Sequence, residues 1–184
     1  MNNFALRIGT VGIEFERKFR VIGDGWRTVV KSASLLRQGY LGPAGHPATV
    51  RIRCLPDGAF LAIKGPRAGM ARAEFEYGIP LADAEEILRT LCGRRTLEKL
   101  RSIVEIDGLI WNIDEFRGTS AGLVLAEVEL MSPHQSLPLP EWVGEEVTGR
   151  HEFRNAVIAE GGAESLTGIG PPDAFNCSAM LPND

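Results

Sequence analysis

The sequence has few of the residues that build disulfide frameworks or thiolate metal sites. Its 184 residues include only three cysteines and three histidines, and both kinds are widely spaced. The cysteines are Cys54, Cys92 and Cys177. Because their number is odd and no two are close in sequence, they predict ordinary thiols rather than a disulfide framework or a zinc site.

Long apolar runs and an excess of positive charge are also missing. No apolar run approaches the roughly 20 residues of a membrane-spanning helix. The N-terminal stretch MNNFALRIGTVG lacks the basic region and the long apolar segment of a signal peptide. A net charge of −4 argues against a broad nucleic-acid surface. We therefore expect a cytoplasmic protein that binds neither membranes nor nucleic acid.

What is present is a chain long enough for one substantial core. Hydrophobic residues make up 44% of it, which is enough to fill the interior of a single domain of this length. From Gly161 onward the sequence GGAESLTGIGPPDAFNCSAMLPND shows no regular spacing of apolar residues. We predict one domain over residues 1–160 and a C-terminal tail over residues 161–184 that is not a separate domain.

Alternating apolar and polar residues predict eight strands. The segments are GIEFERKFRV, SASLLRQGYL, ATVRIRCL, GAFLAIKG, ARAEFEYGIP, TLEKLRSIVEID, LIWNIDEFRG and GLVLAEVELM. PLADAEEILRTLCG instead has helical spacing that stops at Gly93. Helical turns are predicted for GWRTVVK after Asp24, for EWVGEEVTG and for EFRNAVIAE. Together these patterns predict an α+β, mainly β fold whose antiparallel sheet curls or closes.

Charged residues fall on one face of the predicted strands. Successive side chains of an extended chain point to opposite faces, so Glu14, Glu16 and Lys18 share one face of the first strand. Phe15 and Phe19 take the other face. The remaining charges in phase are Arg51, Arg53, Lys64, Arg72, Glu74, Glu76, Lys99, Arg101, Asp114, Glu127 and Glu129. Charged and apolar side chains are therefore expected on opposite faces of the sheet.

Two explanations fit this separation. An antiparallel sheet with its core on one side and water on the other alternates in the same way. A solvated face, however, usually mixes in neutral polar residues, whereas here neighbouring positions often carry like charges, as at Arg51 and Arg53. Such repulsion is expected to persist where a ligand neutralises it. If the strands close into a barrel with the charges inside, the result is a channel that can hold a metal-bound polyphosphate.

The two kinds of charge indicate two kinds of ligand. Carboxylates without nearby histidine or cysteine favour Mg²⁺ or Mn²⁺ over Zn²⁺, and Mg²⁺ commonly bridges carboxylates to substrate phosphates. Paired arginine and lysine side chains favour a phosphate-like anion, because guanidinium groups match its oxygens. The glycine clusters lack the spacing of a phosphate-binding loop, and serine, cysteine and histidine form no recognisable nucleophile set.

The ordered series of motifs resembles the CYTH, or triphosphate tunnel metalloenzyme, superfamily. It begins with Glu-x-Glu-x-Lys at Glu14, Glu16 and Lys18 and continues through QGYL, TVRIR, AIKGP, EFEYGIPLADAEEIL, LEKLR, WNIDEF, GLVLAEVEL and WVGEEVTG. The resemblance covers residues 12–159 and is to the short bacterial members. It implies an eight-stranded antiparallel closed β-barrel, the triphosphate tunnel, with helices packed on the outside.

The resemblance also implies a reaction and a role for each matching residue. The reaction is hydrolysis of the terminal phosphoryl group of a triphosphate with Mg²⁺ or Mn²⁺. The metal ligands would be Glu14, Glu16, Glu127 and Glu129. The substrate-binding residues would be Lys18, Arg51, Arg53, Lys64, Arg72, Lys99 and Arg101. The catalytic residues would be Lys99 and the acids that hold or orient the attacking water, Glu74, Glu76 and Asp114.

Several functions stay open at this point. Inorganic tripolyphosphate leads among the substrates, because no adenine or thiazole pocket is legible in the sequence. The alternatives are a thiamine or nucleoside triphosphatase, a class IV-type adenylate cyclase, and a polyphosphate-binding module without turnover. The large set of glutamates counts against the last, since binding an anion needs bases rather than acids. The sequence leaves the oligomeric state open, including a homodimer.

The chain departs from the family near its C-terminus. Similar bacterial members continue TGD-x-R-Y-x-N, whereas here Thr148 and Gly149 are followed by RHEFRN. Arg150 stands where those members have an aspartate, and Glu152 stands where they have an arginine. If this segment covers one mouth of the tunnel, we expect its contacts to be rearranged.

Overall fold

The computed structural model describes residues 15–42, 46–68, 71–132 and 134–162, with the backbone alone for residues 67–68 and 71–72. Two predicted site residues fall outside these bounds, namely Glu14 and the side chain of Arg72. The predicted tail lies outside them as well, except for residues 161 and 162, which belong to the last helical turn.

Nine strands form one antiparallel sheet. They are β1 (Phe15–Val21), β2 (Val30–Leu41), β3 (Thr49–Leu55), β4 (Gly58–Ala68), β5 (Ala71–Ile79), β6 (Thr96–Ile106), β7 (Leu109–Phe116), β8 (Val124–Leu130) and β9 (Val143–Glu146). Their order across the sheet is β5-β4-β3-β2-β6-β7-β8-β1-β9. The predicted mainly β, antiparallel architecture is confirmed. The helical turn predicted for EWVGEEVTG is wrong, because Val143–Glu146 pairs with β1 as the ninth strand.

The helices are few and short. The predicted helix is confirmed as α1 (Leu81–Thr90), and α2 (Asn155–Val157) continues into the π-helical turn Ile158–Gly162. Three 3-10 turns cover Gly25–Val29, Gly118–Ser120 and His151–Phe153. Asp24 precedes the first turn but caps it with its backbone carbonyl, which accepts from the Arg27 N–H. No helix in the described part of the chain is long and apolar enough to span a membrane.

Helix α1 packs on the apolar face of β2, β3 and β4. Ala84 is fully buried there against Ile52 and Cys54. The contact with β2 is close enough to require a glycine, since a Cβ atom at Gly39 would lie 2.5 Å from Leu88 Cδ2. The predicted covering of this apolar face by a helix is therefore confirmed, and the opposite face is left for the charges.

A second apolar cluster covers the other half of the sheet on the same face. Its centre is Trp111, whose ring lies 5.8 Å from the Phe19 ring and 5.4 Å from the Trp142 ring. Val104 and Val128 are fully buried beside it. Phe19 and Val128 thus face away from Lys18 and Glu127, their neighbours in the chain, as alternation along a strand requires.

A third apolar cluster lies on the charged face, at one end of the strands. Leu97 and Leu125 are in phase with Lys99 and Glu127 and pack there with Tyr40 and Phe116. The C-terminal residues 147–162, which we call the cap segment, cover this cluster. Their contribution consists of Val147, Phe153, Ile158 and Ala159. The cap segment therefore closes one end of the charged face.

The sheet curves without closing. Strands β1–β8 all line one cavity on the charged face, but within the described ranges no strand pairing joins β5 to β1 or β9. The closed, eight-stranded barrel expected from the sequence is thus an open sheet of nine strands here. The ninth strand arises because β9 occupies the free edge of β1.

Candidate functional site

The charged face encloses a cavity of about 1020 Å³. Most of the predicted site residues line it, although they come from six different strands. They are Glu16, Lys18, Arg51, Arg53, Lys64, Glu74, Glu76, Lys99, Arg101, Glu127 and Glu129. Asp114, the remaining predicted residue with a described side chain, is buried and bonded to two of them. Strand pairing thus brings together charged residues that are far apart in the sequence.

A like-charge pair that the sequence did not predict is found where β1 meets β8. Antiparallel pairing sets Glu16 directly across from Glu129, and Lys18 directly across from Glu127. Neither Glu16 nor Glu129 forms an ion pair or hydrogen bond with another described residue. Glu16 remains accessible from the cavity, but the surrounding protein and then the charge of Glu127 raise its pKa. Like charges in this arrangement destabilise a strand pair, so this corner suits a bound cation.

Lys18 and Glu127 form the adjacent ion pair. Lys18 Nζ lies 2.7 Å from Glu127 Oε1 and also donates to the Phe153 carbonyl at 3.3 Å. Burial alone would lower the pKa of Lys18, but the charges of Glu127 and Glu16 outweigh it and raise the pKa. Burial alone would raise the pKa of Glu127, but Lys18, Lys99 and Arg101 bring it well below its usual range. Both side chains are therefore charged at neutral pH.

Beneath the cavity, Asp114 is the centre of a buried network. Its Oδ2 accepts from Lys99 Nζ at 2.5 Å, and Arg101 donates to its two oxygens at 2.7 and 2.6 Å. Arg101 Nη2 also donates to Glu127 Oε2 at 2.7 Å. Lys99 is fully buried, and this burial lowers its pKa to about 8 despite the charge of Asp114. Asp114 therefore fixes the positions of Lys99 and Arg101 rather than facing the open cavity.

The bases of β3 and β4 face acids of β5. Arg51 Nη2 and Arg53 Nη2 lie 3.2 and 2.9 Å from one oxygen of Glu76, and Lys64 Nζ lies 2.6 Å from Glu74. The Nε atoms of Arg51 and Arg53 are buried and have no hydrogen-bond partner. Burial, and then the neighbouring Arg51, lowers the pKa of Arg53. Because buried donors without acceptors are costly, these two N–H groups suit an anion in the cavity.

Sequence reasoning missed two arginines that line the cavity, Arg95 and Arg154. Arg95 pairs with Glu160 of the cap segment at 2.7 Å and donates to the Gly42 carbonyl. Arg95 lies just before β6 and has the same alternation as Lys99 and Arg101. Extending the predicted strand toward the N-terminus would therefore have placed Arg95 on the charged face. Arg154 belongs to the cap segment, which contains no strand, so the alternation of side chains along strands could not identify it.

The carboxylates fit a hard cation by their chemistry. No group of three acidic, histidine or cysteine side chains is assembled as a metal site within the described residues. Glu16, Glu127 and Glu129 nevertheless occupy neighbouring positions on β1 and β8. Glu16 and Glu129, which have no partner among the residues that the structure describes, offer the oxygen ligands that Mg²⁺ and Mn²⁺ prefer.

Comparison with known proteins agrees with this geometry. The family model of the CYTH domain matches residues 12–155. The inorganic triphosphatase of Acetivibrio thermocellus is 40% identical over 150 residues, which cover 82% of this chain and 95% of that protein. The inorganic triphosphatase of Nitrosomonas europaea is 34% identical over 151 residues, covering 79% of this chain and 96% of the relative.

A solved structure extends the similarity to three dimensions. The crystal structure of an inorganic triphosphatase superposes with a TM-score of 0.62 at 31% identity, and the match covers 82% of this chain and 97% of that one. The agreement in sequence, in extent and in fold leads to one conclusion: the chain belongs to the CYTH domain family.

Proposed function

We propose that this protein is an inorganic triphosphatase, a phosphoanhydride hydrolase that releases the terminal phosphate of tripolyphosphate. The proposal rests on the kinds of residue that line the cavity. Carboxylates on β1 and β8 that have no partner in the described part of the chain, and unsatisfied arginine donors on β3, line the same space. The curated relatives, both named inorganic triphosphatases, support the same activity.

The bases of the cavity bind the phosphates. Lys18, Arg51, Arg53, Lys64 and Arg101 line it directly, and Arg72 is assigned with them from the sequence. Each of these five lies against a glutamate or Asp114 in the free protein. A triphosphate replaces those carboxylates with its own oxygens, so the bases are held in place before the substrate arrives. Lys99 contributes its charge from beneath the cavity.

The acids of β1 and β8 hold the metal. Glu16, Glu127 and Glu129, together with Glu14, would bind a Mg²⁺ or Mn²⁺ ion. When bound, the ion neutralises phosphate oxygens and makes the phosphorus more electrophilic. Without it, Glu16 and Glu129 remain opposite each other as like charges, which is the arrangement that a divalent cation relieves.

Glu74 and Glu76 orient the attacking water. Both carboxylates are occupied by Lys64, Arg51 and Arg53 in the free protein. When phosphate oxygens engage these bases, the glutamates are free to accept a hydrogen bond from water. Water attacks the terminal phosphorus, the bridging P–O bond breaks, and phosphate and pyrophosphate leave. Asp114 takes part by positioning Lys99 and Arg101.

Substrate binding also draws the open sheet toward the closed, eight-stranded tunnel. The charge of Lys64 on β4 acts on Glu16 on β1, where it opposes part of the rise in the pKa of Glu16, although the two strands are far apart in the order of the sheet. A highly charged anion between the two sides, bound by both, would bring β1 and β5 closer together.

A substrate panel tests the proposed function. Phosphate release is measured from tripolyphosphate, ATP, thiamine triphosphate and pyrophosphate, each with Mg²⁺, with Mn²⁺ and with EDTA. We expect tripolyphosphate to be hydrolysed fastest and only with metal. Cyclic AMP from ATP would favour the cyclase, and preferred release from ATP or thiamine triphosphate would favour those triphosphatases. Binding of tripolyphosphate without any turnover would favour a binding module.

Arg53→Ala should weaken tripolyphosphate binding by about 10-fold or more, since a hydrogen bond to a charged group contributes about 1.5–3 kcal/mol. The reason is that Arg53 carries both a charge and a buried N–H without an acceptor. Calorimetric titration gives Kd directly. The matched control is Arg37→Ala, because Arg37 lies on the neighbouring strand but pairs with Glu85 outside the cavity. An equal loss in both variants would contradict the assignment of Arg53.

A further inference from the structure

The cap segment brings one more base to the cavity. Arg154 lines the cavity and is exposed. It makes no ion pair and no side-chain hydrogen bond with any described residue. It lies four positions after Arg150, which by contrast is bound to Glu145 and Glu152 at 2.7 and 2.8 Å. Among the described residues, no carboxylate therefore neutralises the charge of Arg154.

This sets Arg154 apart from the other lysines and arginines of the cavity. Within the described residues, each of the others is paired with a carboxylate. The pairs are Lys18 with Glu127, Arg51 and Arg53 with Glu76, Lys64 with Glu74, Arg95 with Glu160, Lys99 with Asp114, and Arg101 with Asp114 and Glu127. Those bases must exchange a carboxylate for a phosphate when substrate binds. Arg154 makes no such exchange with any carboxylate in the described ranges, so its attraction for an anion is not offset there.

The backbone around Arg154 is held firmly. Phe153 on one side and Ile158 on the other are each only 1% exposed in the apolar cluster beneath the cap segment. The Arg154 carbonyl accepts from the N–H groups of Val157 and Ile158 at 2.9 and 3.0 Å. Lys18 Nζ donates to the Phe153 carbonyl, which ties the cap segment to β1. Only the side chain of Arg154 loses freedom when it binds a ligand, which limits the entropic cost.

We propose that Arg154 is a substrate-binding residue that recognises an end phosphate of the triphosphate. The apolar cluster of Tyr40, Leu97, Phe116 and Leu125 closes the sheet behind the cap segment, so the group that meets Arg154 is the end of a short chain rather than the middle of a long polymer. This inference rests on the proposed function and adds a recognition element from outside the strands of the sheet.

The experiment compares two arginines of the same segment. Arg154→Ala should weaken metal-free tripolyphosphate binding by roughly 5- to 20-fold and raise KM more than it lowers kcat, because it removes one charged contact at the cavity. Arg154→Lys should recover part of the loss, since the charge returns without the fork of donors. Arg150→Ala removes the same charge four positions away, from a side chain that does not line the cavity. It should change Kd by less than about twofold.

Binding is measured by calorimetry at two salt concentrations, and Tm is measured for every variant. Arg154→Gln, which keeps a long polar side chain, replaces the alanine variant if that variant unfolds at a lower temperature. Wild-type binding in Arg154→Ala or Arg154→Gln would overturn the inference, and so would equal losses in the Arg150 and Arg154 variants. If the wild type itself neither binds nor hydrolyses tripolyphosphate, the proposed function is overturned and the inference falls with it.

Discussion

Glu16→Ala should lower tripolyphosphate turnover by on the order of 100-fold or more, the size of effect expected when a group that stabilises transition-state charge is lost. Anion binding to the metal-free protein should be retained, because the bases of the cavity are untouched. The physical reason is that Glu16 lies directly opposite Glu129 and forms no ion pair or hydrogen bond within the described ranges. Its removal takes away a metal ligand and at the same time relieves like-charge repulsion.

Two measurements distinguish this effect from misfolding. Phosphate release gives turnover, and the Tm of the metal-free protein should not fall, since burial and Glu127 outweigh the nearby bases and disfavour the charged form of Glu16. The matched control is Glu86→Ala on α1, where Glu86 pairs with Arg89 at the surface. Hydrolysis at the wild-type rate by the Glu16 variant would show that the metal assignment on β1 is wrong.

Asp114→Ala should lower the free energy of unfolding by about 3–5 kcal/mol, the range for breaking a buried ion pair by removing one partner. Asp114 and Lys99 are both fully buried, and Asp114 also accepts two hydrogen bonds from Arg101. Without the carboxylate, buried Lys99 loses its ion-pair partner and Arg101 retains only Glu127. Urea denaturation measures the change, with Asp83→Ala in the first turn of α1 as an exposed control.

A double variant tests the cause of that loss. Adding Lys99→Met to Asp114→Ala removes the uncompensated ammonium, so the double variant should recover part of the stability lost by the single one. Simple additivity of the two losses would contradict the view that Asp114 serves to compensate Lys99. In that case Asp114 would stabilise the sheet by some other contact.

Much of the fold could be predicted because strand geometry gives a strict period of two. That period placed Lys18, Arg51 and Glu127 on one face without any knowledge of which strands pair. The same argument placed Phe15 and Phe19 on the opposite face, where both pack in an apolar cluster. Local pattern was sufficient here because both faces are well defined, one charged and one apolar.

The parts that could not be predicted depend on contacts between distant residues. The sequence of Val143–Glu146 predicts a helical turn. The segment nevertheless forms a strand, because it pairs with the free edge of β1. Glu76 pairs with Arg51 and Arg53 because β5 lies two strands from β3 in the sheet, and the sequence does not reveal that order. Arg154 lies outside the strands, so alternation along a strand could not predict its position. The packing of Phe153 and Ile158 brings it to the cavity.

The position of β1 between β8 and β9 also determines how the protein folds. The first described strand pairs with the last two, so the sheet has high contact order and must close a loop of nearly the whole domain. We expect slow folding that is completed only after the C-terminal strands have left the ribosome. Glu16 and Lys18 meet Glu129 and Glu127 only across this pairing. A nascent chain therefore keeps Glu16 apart from Glu127 and Glu129 until the final step of its folding.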